Sequence, residues 1–551
     1  MWKIMKNIKN KKYIDTILEI ILSVMVILFI LLPFLSVFKE SFIIDGRLDF
    51  KYYKNLFTNI KLLKNTLTLG FLTTILSIIT STVLAIFIYL STDKKRKIYQ
   101  TILAITLISP PFVTSLSYIT LFGRRGFITH NLLGLSINPY NMWGVVFMQT
   151  LSFLSINTII LLGFLNSINK EVINSARSLG AGTNSIIKDI LIPQSKNGIY
   201  TVLVLSFFKA ASDFATPSII GGRFNVLALE SYFEVIANGN LSKASAMNVT
   251  LLIPILILFA IFRKSNKANT SSTDSYSRSE ISIKRKGILY NIIRIISVFL
   301  LLMLVSLYLS VILSAFTAMK KGSLTFTLSN FKNTRMFIND SMLRSIGYSL
   351  ISAIFGTLIG FFIGYYVIIK NSRFMGILDM ISNLPYLIPG TFFGLGYLLF
   401  FKSPPLVLTG TSAIVVLNIL FKQLPFSSRV GNAAIKSVDG AIINSIRDLG
   451  GSTIDEMKDG ILPNVKDSLA ISLINSFTSS MTTVGSIIFL VYPGKKLMTL
   501  VMFDVINSGK YNEGSVIALL IMIICFIFNI LISYILGEKN LLRGSENVLR
   551  N

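Results

Sequence analysis

EVINSARSLGAGTNSIIKDILIP, residues 171–193, is a polar stretch set between long apolar runs, and it returns at 441–463 as AIINSIRDLGGSTIDEMKDGILP. Ten of the 23 positions agree without a gap. A short helix is expected over 170–179, closed by Gly180, because glycine readily takes the left-handed conformation that follows many helices. Thr183 is placed to cap a second helix that Pro193 ends, and Thr453 with Glu456 spells a T-x-x-E capping box in the second copy. The pattern predicts a rigid helix–turn–helix bracket, made twice.

The surroundings of the bracket are those of a membrane protein. Of 551 residues, 52% are hydrophobic and 14% charged, with a mean hydropathy of +0.69; soluble chains carry about 25% charge. About 20 apolar residues cross the hydrocarbon core as a helix. About twelve runs meet that length. Those of the first half are 14–38, 63–90, 98–122, 142–165, 198–221 and 245–262. Those of the second are 289–316, 343–369, 374–401, 405–428, 468–491 and 515–536. The reading is an all-α polytopic membrane protein: a first half over 1–263, a hydrophilic linker over 264–288, and a second half over 289–551. VIANGNLSKAS at 235–245 also returns as VINSGKYNEGS at 505–515, the same displacement of 270 as the bracket. An even number of spans per half makes this a parallel repeat.

Net charge is +27. The densest basic clusters, Lys3 to Lys12, Lys94 to Lys97 and Arg263 to Lys286, fall on one side if both termini are cytoplasmic, as the positive-inside rule requires. No basic face interleaved with aromatics competes with that explanation, so nucleic acid is not an expected partner. Cys525 is the only cysteine and lies in the last span, where it reads as a buried structural thiol. His130, the lone histidine, stands in an outer loop and makes no metal site. Glu230 and Glu234 read as a solvated helix face. Gly356, Gly360 and Gly364 form a G-x-x-x-G track for close helix packing, and Pro110, Pro111 and LPYLIPG at 384–390 punctuate the third span of each half.

The brackets carry no catalytic chemistry: no base–nucleophile pair, no metal-ligand cluster and no phosphate-cradling loop. PGKK at 493–496 lacks the first glycine and the Ser or Thr of a nucleotide-binding loop. A short, rigid, twice-made cytoplasmic projection suits docking to a partner that is itself two-fold. Within the spans, Lys209 and Asp213 stand four apart and are expected to pair along one helix face at the translocation path. The corresponding SSMTTVGSIIFLV of the second half has no charge.

The spacing E-x4-A-x3-G-x12-P, on Glu171, Ala176, Gly180 and Pro193, resembles the EAA loop of binding-protein-dependent ABC importer permeases. The loops span 170–193 and 439–463. The second keeps Gly450 and Pro463 but has Ala441 in place of the Glu and Ile446 in place of the Ala, with Asp439 as a candidate substitute carboxylate. The resemblance covers nearly the whole chain, once per half. It implies the type I ABC importer fold, with both membrane halves fused. It further implies that Glu171, Ala176, Arg177 and Gly180 contact one ATPase subunit, and Arg447, Asp448 and Gly450 a second. ATP and Mg would be held by those ATPase subunits, and cargo would come from an extracytoplasmic binding protein. The implied location is the bacterial plasma membrane. SDFATPSIIGGRFNVLA and LPYLIPGTFFGLG look like the ferric-iron branch, with 2-aminoethylphosphonate, thiamine and polyamine permeases similar. A secondary transporter with six plus six spans is the reading from another class. STDKKRK at 91–97 has the charge of that family's loop motif but not its glycines.

Overall fold

The computed structural model describes residues 15–535 apart from 45, 111, 267–285, 321–322 and 493, so the predicted linker falls largely outside the described residues. The first half runs through α1 (Asp15–Phe42), α2 (Lys61–Tyr89), α3 (Asp93–Thr106), α4 (Phe112–Phe122) and α5 (Met142–Asn166). It continues through α6 (Lys170–Ser178), α7 (Lys196–Ser212), α8 (Ala215–Ile220), α9 (Leu227–Ile236) and α10 (Leu241–Asn266). The second half begins with α11 (Ile288–Phe316), α12 (Ser329–Ile368), α13 (Arg373–Ser382), α14 (Gly390–Phe401) and α15 (Ser412–Lys436). It closes with α16 (Gly440–Asp448), α17 (Lys466–Met481), α18 (Met498–Asn507) and α19 (Tyr511–Ile535). Both α5 and α6 return 270 positions later, end for end, as α15 and α16. A two-stranded antiparallel hairpin follows α1 and another follows α11.

Among the described residues, eight helices are long and apolar enough to cross a membrane, or nine if the bent pair around Ile388 is one span. The runs expected to be continuous at 98–122, 198–221, 374–401 and 468–491 are not. The first stops at Thr106 and resumes at Phe112, around Pro110. The third bends by 115° between residues 387 and 390, where Pro389 caps α14. The second breaks at Asp213, which is extended, and the fourth ends at Met481. Proline removes a donor and clashes with the preceding turn. Irregular backbone at membrane depth survives only where protein or a cavity satisfies it.

The halves interlock. In each, the first span packs on the broken third span of the other: α1 on α14, and α11 on α4. The Tyr397 hydroxyl on α14 donates to the Phe29 carbonyl on α1 at 2.7 Å, and the rings of Phe34 and Phe392 meet at a tilt with centroids 5.4 Å apart. On the other side, Ser117 of α4 donates to the Leu307 carbonyl of α11 at 2.7 Å. Within the second half, α12 packs along α15. A β-carbon on Gly360 would sit 2.6 Å from the Ser427 side chain, so the small-residue track brings backbones together as predicted. Gly356, one turn away, is less tightly opposed. Cys525 is buried, as its place in the last span implied. The outward faces of α11 and α12 show Ile295, Phe299, Leu302 and Phe355 exposed, a composition that only lipid or another apolar surface covers.

Candidate functional site: two brackets and a cavity

Each bracket begins on a side-chain cap. Asn169 accepts the Glu171 N–H at 2.8 Å, and Asp439 accepts the Ala441 N–H at 2.9 Å. Asp439 therefore holds the capping place that Asn169 holds in the first copy. Glu171 itself is exposed, its carboxylate accepting from the Asn169 amide at 3.5 Å. The helices α6 and α16 end on Gly180 and Gly450, with φ of +85° and +82°. The turn is closed by Gly180 N–H to Arg177 O and Ala181 N–H to Ala176 O at 2.8 and 2.9 Å. The second copy repeats it on Arg447 and Ile446. The left-handed closure predicted at both glycines is what the backbone adopts.

The second capping box is displaced by one residue from the T-x-x-E reading. Ser452 is the cap, its hydroxyl accepting the Asp455 N–H while Asp455 accepts the Ser452 N–H at 2.5 Å. In the first bracket Gly182, not Thr183, holds the cap position, and the helical stretch runs on through Pro193 to Gln194. Glu456, freed from capping, is buried and takes a two-point contact from Arg447 at 2.9 and 3.0 Å, plus the Tyr365 hydroxyl at 2.6 Å. Burial pushes the Glu456 carboxyl up, but these hydrogen bonds outweigh it and hold its pKa below the ordinary glutamate value. Thr453 instead donates to Asp15 of α1 at 2.6 Å, where Lys370 also pairs at 2.9 Å. The first bracket has Ile186 where the second has Glu456, and Ile186 is buried, as are Ile173, Ile187 and Leu191. One bracket is held by a salt-bridged network and the other by apolar packing.

Both present the same face outward. Leu179 and Leu449, each 89% exposed, stand immediately before the two glycines. Arg177 and Ala176 are half-buried, while Arg447 and Asp448 are exposed. In each copy a nine-residue helix leads directly to the exposed leucine.

The four breaks in the expected spans converge on one cavity of about 480 Å³. Ser109 comes from the first break, Asp213 to Ala215 from the second, Gly390 and Thr391 from the third, and Thr482 to Gly485 from the fourth. Lys209 and Asp213 both line it, but they do not pair. Asp213 caps α8, its Oδ1 accepting the N–H groups of Ala215 and Thr216 at 2.9 and 3.2 Å. Its Oδ2 accepts Gln149 of α5 at 3.0 Å, and Gln149 in turn accepts the Thr73 hydroxyl of α2. Helical geometry ends at Ser212, so the expected four-residue spacing no longer puts the two charges together. The Lys209 ammonium lies instead over the Phe153 ring, 5.8 Å from its centroid.

Three functional groups went unremarked in the sequence: Gln149, Lys422 and Gln423, each a polar residue inside a run read as a span. Lys422 donates to the carbonyls of Pro385 and Ile388 at 2.6 and 3.0 Å, satisfying oxygens released by the 115° bend. A lone lysine facing a proline-broken span was the available signal. Glu234 departs from its expected solvated place: it is buried and paired with Lys243 at 2.5 Å. His130 is exposed beside Asn131. Among the described residues no cluster of three metal-ligating side chains occurs.

Comparison with known proteins gives the family. Residues 81–269 and 356–538 each match the family described as binding-protein-dependent transport system inner membrane component. The chain is 26% identical over 460 residues to the ferric transport system permease protein of Actinobacillus pleuropneumoniae, covering 79% of this chain and 65% of that relative's length. A Haemophilus influenzae protein bearing the same ferric transport permease name is 28% identical over 500 residues, 88% of this chain and 78% of its own. The spermidine/putrescine transport system permease protein of Haemophilus influenzae is 21% identical over 225 residues, which is 40% of this chain but 83% of its own length. With both halves matched over more than half of its residues, the chain belongs to the binding-protein-dependent transport system inner membrane components and carries the family's domain twice in one polypeptide.

Proposed function

We propose that this chain is the transmembrane path of an ATP-driven importer, and that its two brackets seat two ATPase subunits, one each. The observation that carries the reading is the pair of exposed leucines, Leu179 and Leu449, on frames of the same geometry 270 positions apart. The twelve-span layout, as two parallel six-helix repeats of the type I ABC importer fold with both termini cytoplasmic, is part of the proposal. The matching displacement of α5 and α6 onto α15 and α16 supports it. Glu171, Ala176, Arg177 and Gly180 would meet one ATPase, and Arg447, Asp448 and Gly450 the other. ATP and Mg belong to those subunits, and an extracytoplasmic binding protein delivers the cargo.

The bracket is built to transmit force. In the second half, Arg447, Glu456 and Tyr365 tie α16 to α12, so displacement of the bracket displaces a long span with it. In the first, Ile173 and Ile186 lock α6 into the apolar core. Closing the two ATPases would draw the brackets together and reopen the cavity on the opposite side. Ferric iron is the cargo proposed, supported by the names of the relatives that align along most of the chain. Co-purification with the ATPase encoded beside this gene tests the reading, with native mass spectrometry to count copies. Two ATPases per chain are expected, and none after Gly180→Val with Gly450→Val. Cargo uptake by vesicles that hold the chain and no ATPase overturns it.

A further inference from the structure

We propose that the cavity takes its cargo by an anionic group, either a free oxyanion or the anionic ligand of a ferric ion, and that Lys209 holds that group. The inference rests on the importer reading and deepens it. Among the described residues two charged side chains line the cavity, Lys209 and Asp213. They are not equally available. The Asp213 carboxylate accepts two backbone N–H groups and the Gln149 amide, so its lone pairs are largely used. Among the described residues no carboxylate lies within ion-pair distance of Lys209, and its ammonium lies over the Phe153 ring. An ammonium offers three donors and accepts nothing. Lys209 is exposed where it lines the cavity, so an anion entering there can reach its ammonium.

The rest of the wall has the same character. Gln423 of α15, Ser479 of α17 and Thr483 beyond it line the cavity with side chains that make no hydrogen bond to protein. Ser212 Oγ, beside Asp213, has no partner either. An amide and hydroxyls around one ammonium form a donor set for oxyanion oxygens. The opposite cargo fits poorly. A bare trivalent cation needs several anionic oxygens, and this wall supplies one, already engaged, next to a fixed positive charge. The repeat places the uncharged Ser479 where the first half has Lys209, so the cavity offers one cationic anchor, not a symmetric pair.

The test uses the full chain in nanodiscs, with Tm followed during titration by inorganic phosphate, citrate or ferric citrate, and sodium chloride at matched ionic strength as reference. Wild type is expected to gain Tm with at least one of the three probes. A response to phosphate or citrate alone identifies a free oxyanion, and a response to ferric citrate alone identifies the anion carried on iron. Lys209→Met should weaken the response on the order of tenfold or more, the factor of one charge-assisted hydrogen bond; Lys209→Arg should keep most of it. Gln423→Leu serves as a second variant, with a smaller loss expected, should Lys209→Met not fold. A wild-type chain that no probe stabilises beyond chloride overturns the proposal. So does a folded Lys209→Met that responds like wild type. Failure of ATPase co-purification would sink the importer reading without changing this titration, so the two failures are separable.

Discussion

Glu456 and Ile186 occupy the same place in the two brackets and make them answer differently to pH. Glu456 is held below its ordinary pKa, and a carboxylate depressed on folding adds stability above its unfolded pKa and loses it as pH falls through the folded one. The second bracket should therefore loosen below about pH 4, the ordinary glutamate range, while the first, with isoleucine there, should not. Amide hydrogen exchange of residues 440–461 against 170–191 at pH 7 and at about pH 3.5 would show the split. Equal loosening of the two would refute it. Glu456→Ala at neutral pH should cost about 1–3 kcal/mol locally, because it strands the Arg447 guanidinium and the Tyr365 hydroxyl. Leu179 and Leu449 predict the reverse behaviour. Each is almost wholly in solvent, so Leu179→Asp with Leu449→Asp should leave Tm within about 1 °C, as surface changes do, yet abolish ATPase co-purification. A large drop in Tm would mean that the leucines serve the fold instead.

At the scale of elements, the repeat and the glycine closures were legible in the sequence because they depend on local rules: a helix ends where a residue can take positive φ. The capping box was misplaced by one residue because Ser452 and Thr453 are adjacent and equally able to cap. Tertiary contacts decided between them, with Asp15 from a distant span claiming Thr453. The broken spans were invisible to hydropathy for a related reason. A window average reads the apolar content of 198–221 or 468–491 and not the turn at Asp213 or Met481. Lys422 shows what such a break demands. Its ammonium satisfies two carbonyls at the bend between α13 and α14, and Lys422→Met leaves both without a donor. A loss of about 2–4 kcal/mol is expected from two orphaned acceptors at membrane depth, read as a lower Tm in nanodiscs. An unchanged Tm would show that water, not Lys422, satisfies the bend.

The whole molecule is held together by spans exchanged between halves, and that determines what its continuity in sequence contributes. Asp15 of α1 binds Thr453 and Lys370, Tyr397 of α14 reaches the Phe29 carbonyl, and Ser117 of α4 reaches α11. None of these contacts runs through residues 267–285. The polyamine permease relative aligns with 40% of this chain over 83% of its own length, so it is a polypeptide about the size of one half. A chain cut between residues 275 and 276 and expressed as two pieces should therefore reassemble, the pieces co-eluting through a tag on one of them. The cut chain should also bind ATPase at both brackets. The interlock makes a sharper demand on the first piece. Removing residues 1–42 from it takes away Asp15, Phe29 and Phe34 together, and with them one of the two exchanged spans. Co-elution should then fall by tenfold or more, an equilibrium change of about 1.4 kcal/mol being enough for that factor. If the truncated piece still brings down its partner at full yield, the exchanged first span is not what joins the halves, and the packing of α11 on α2 and α4 must carry the join.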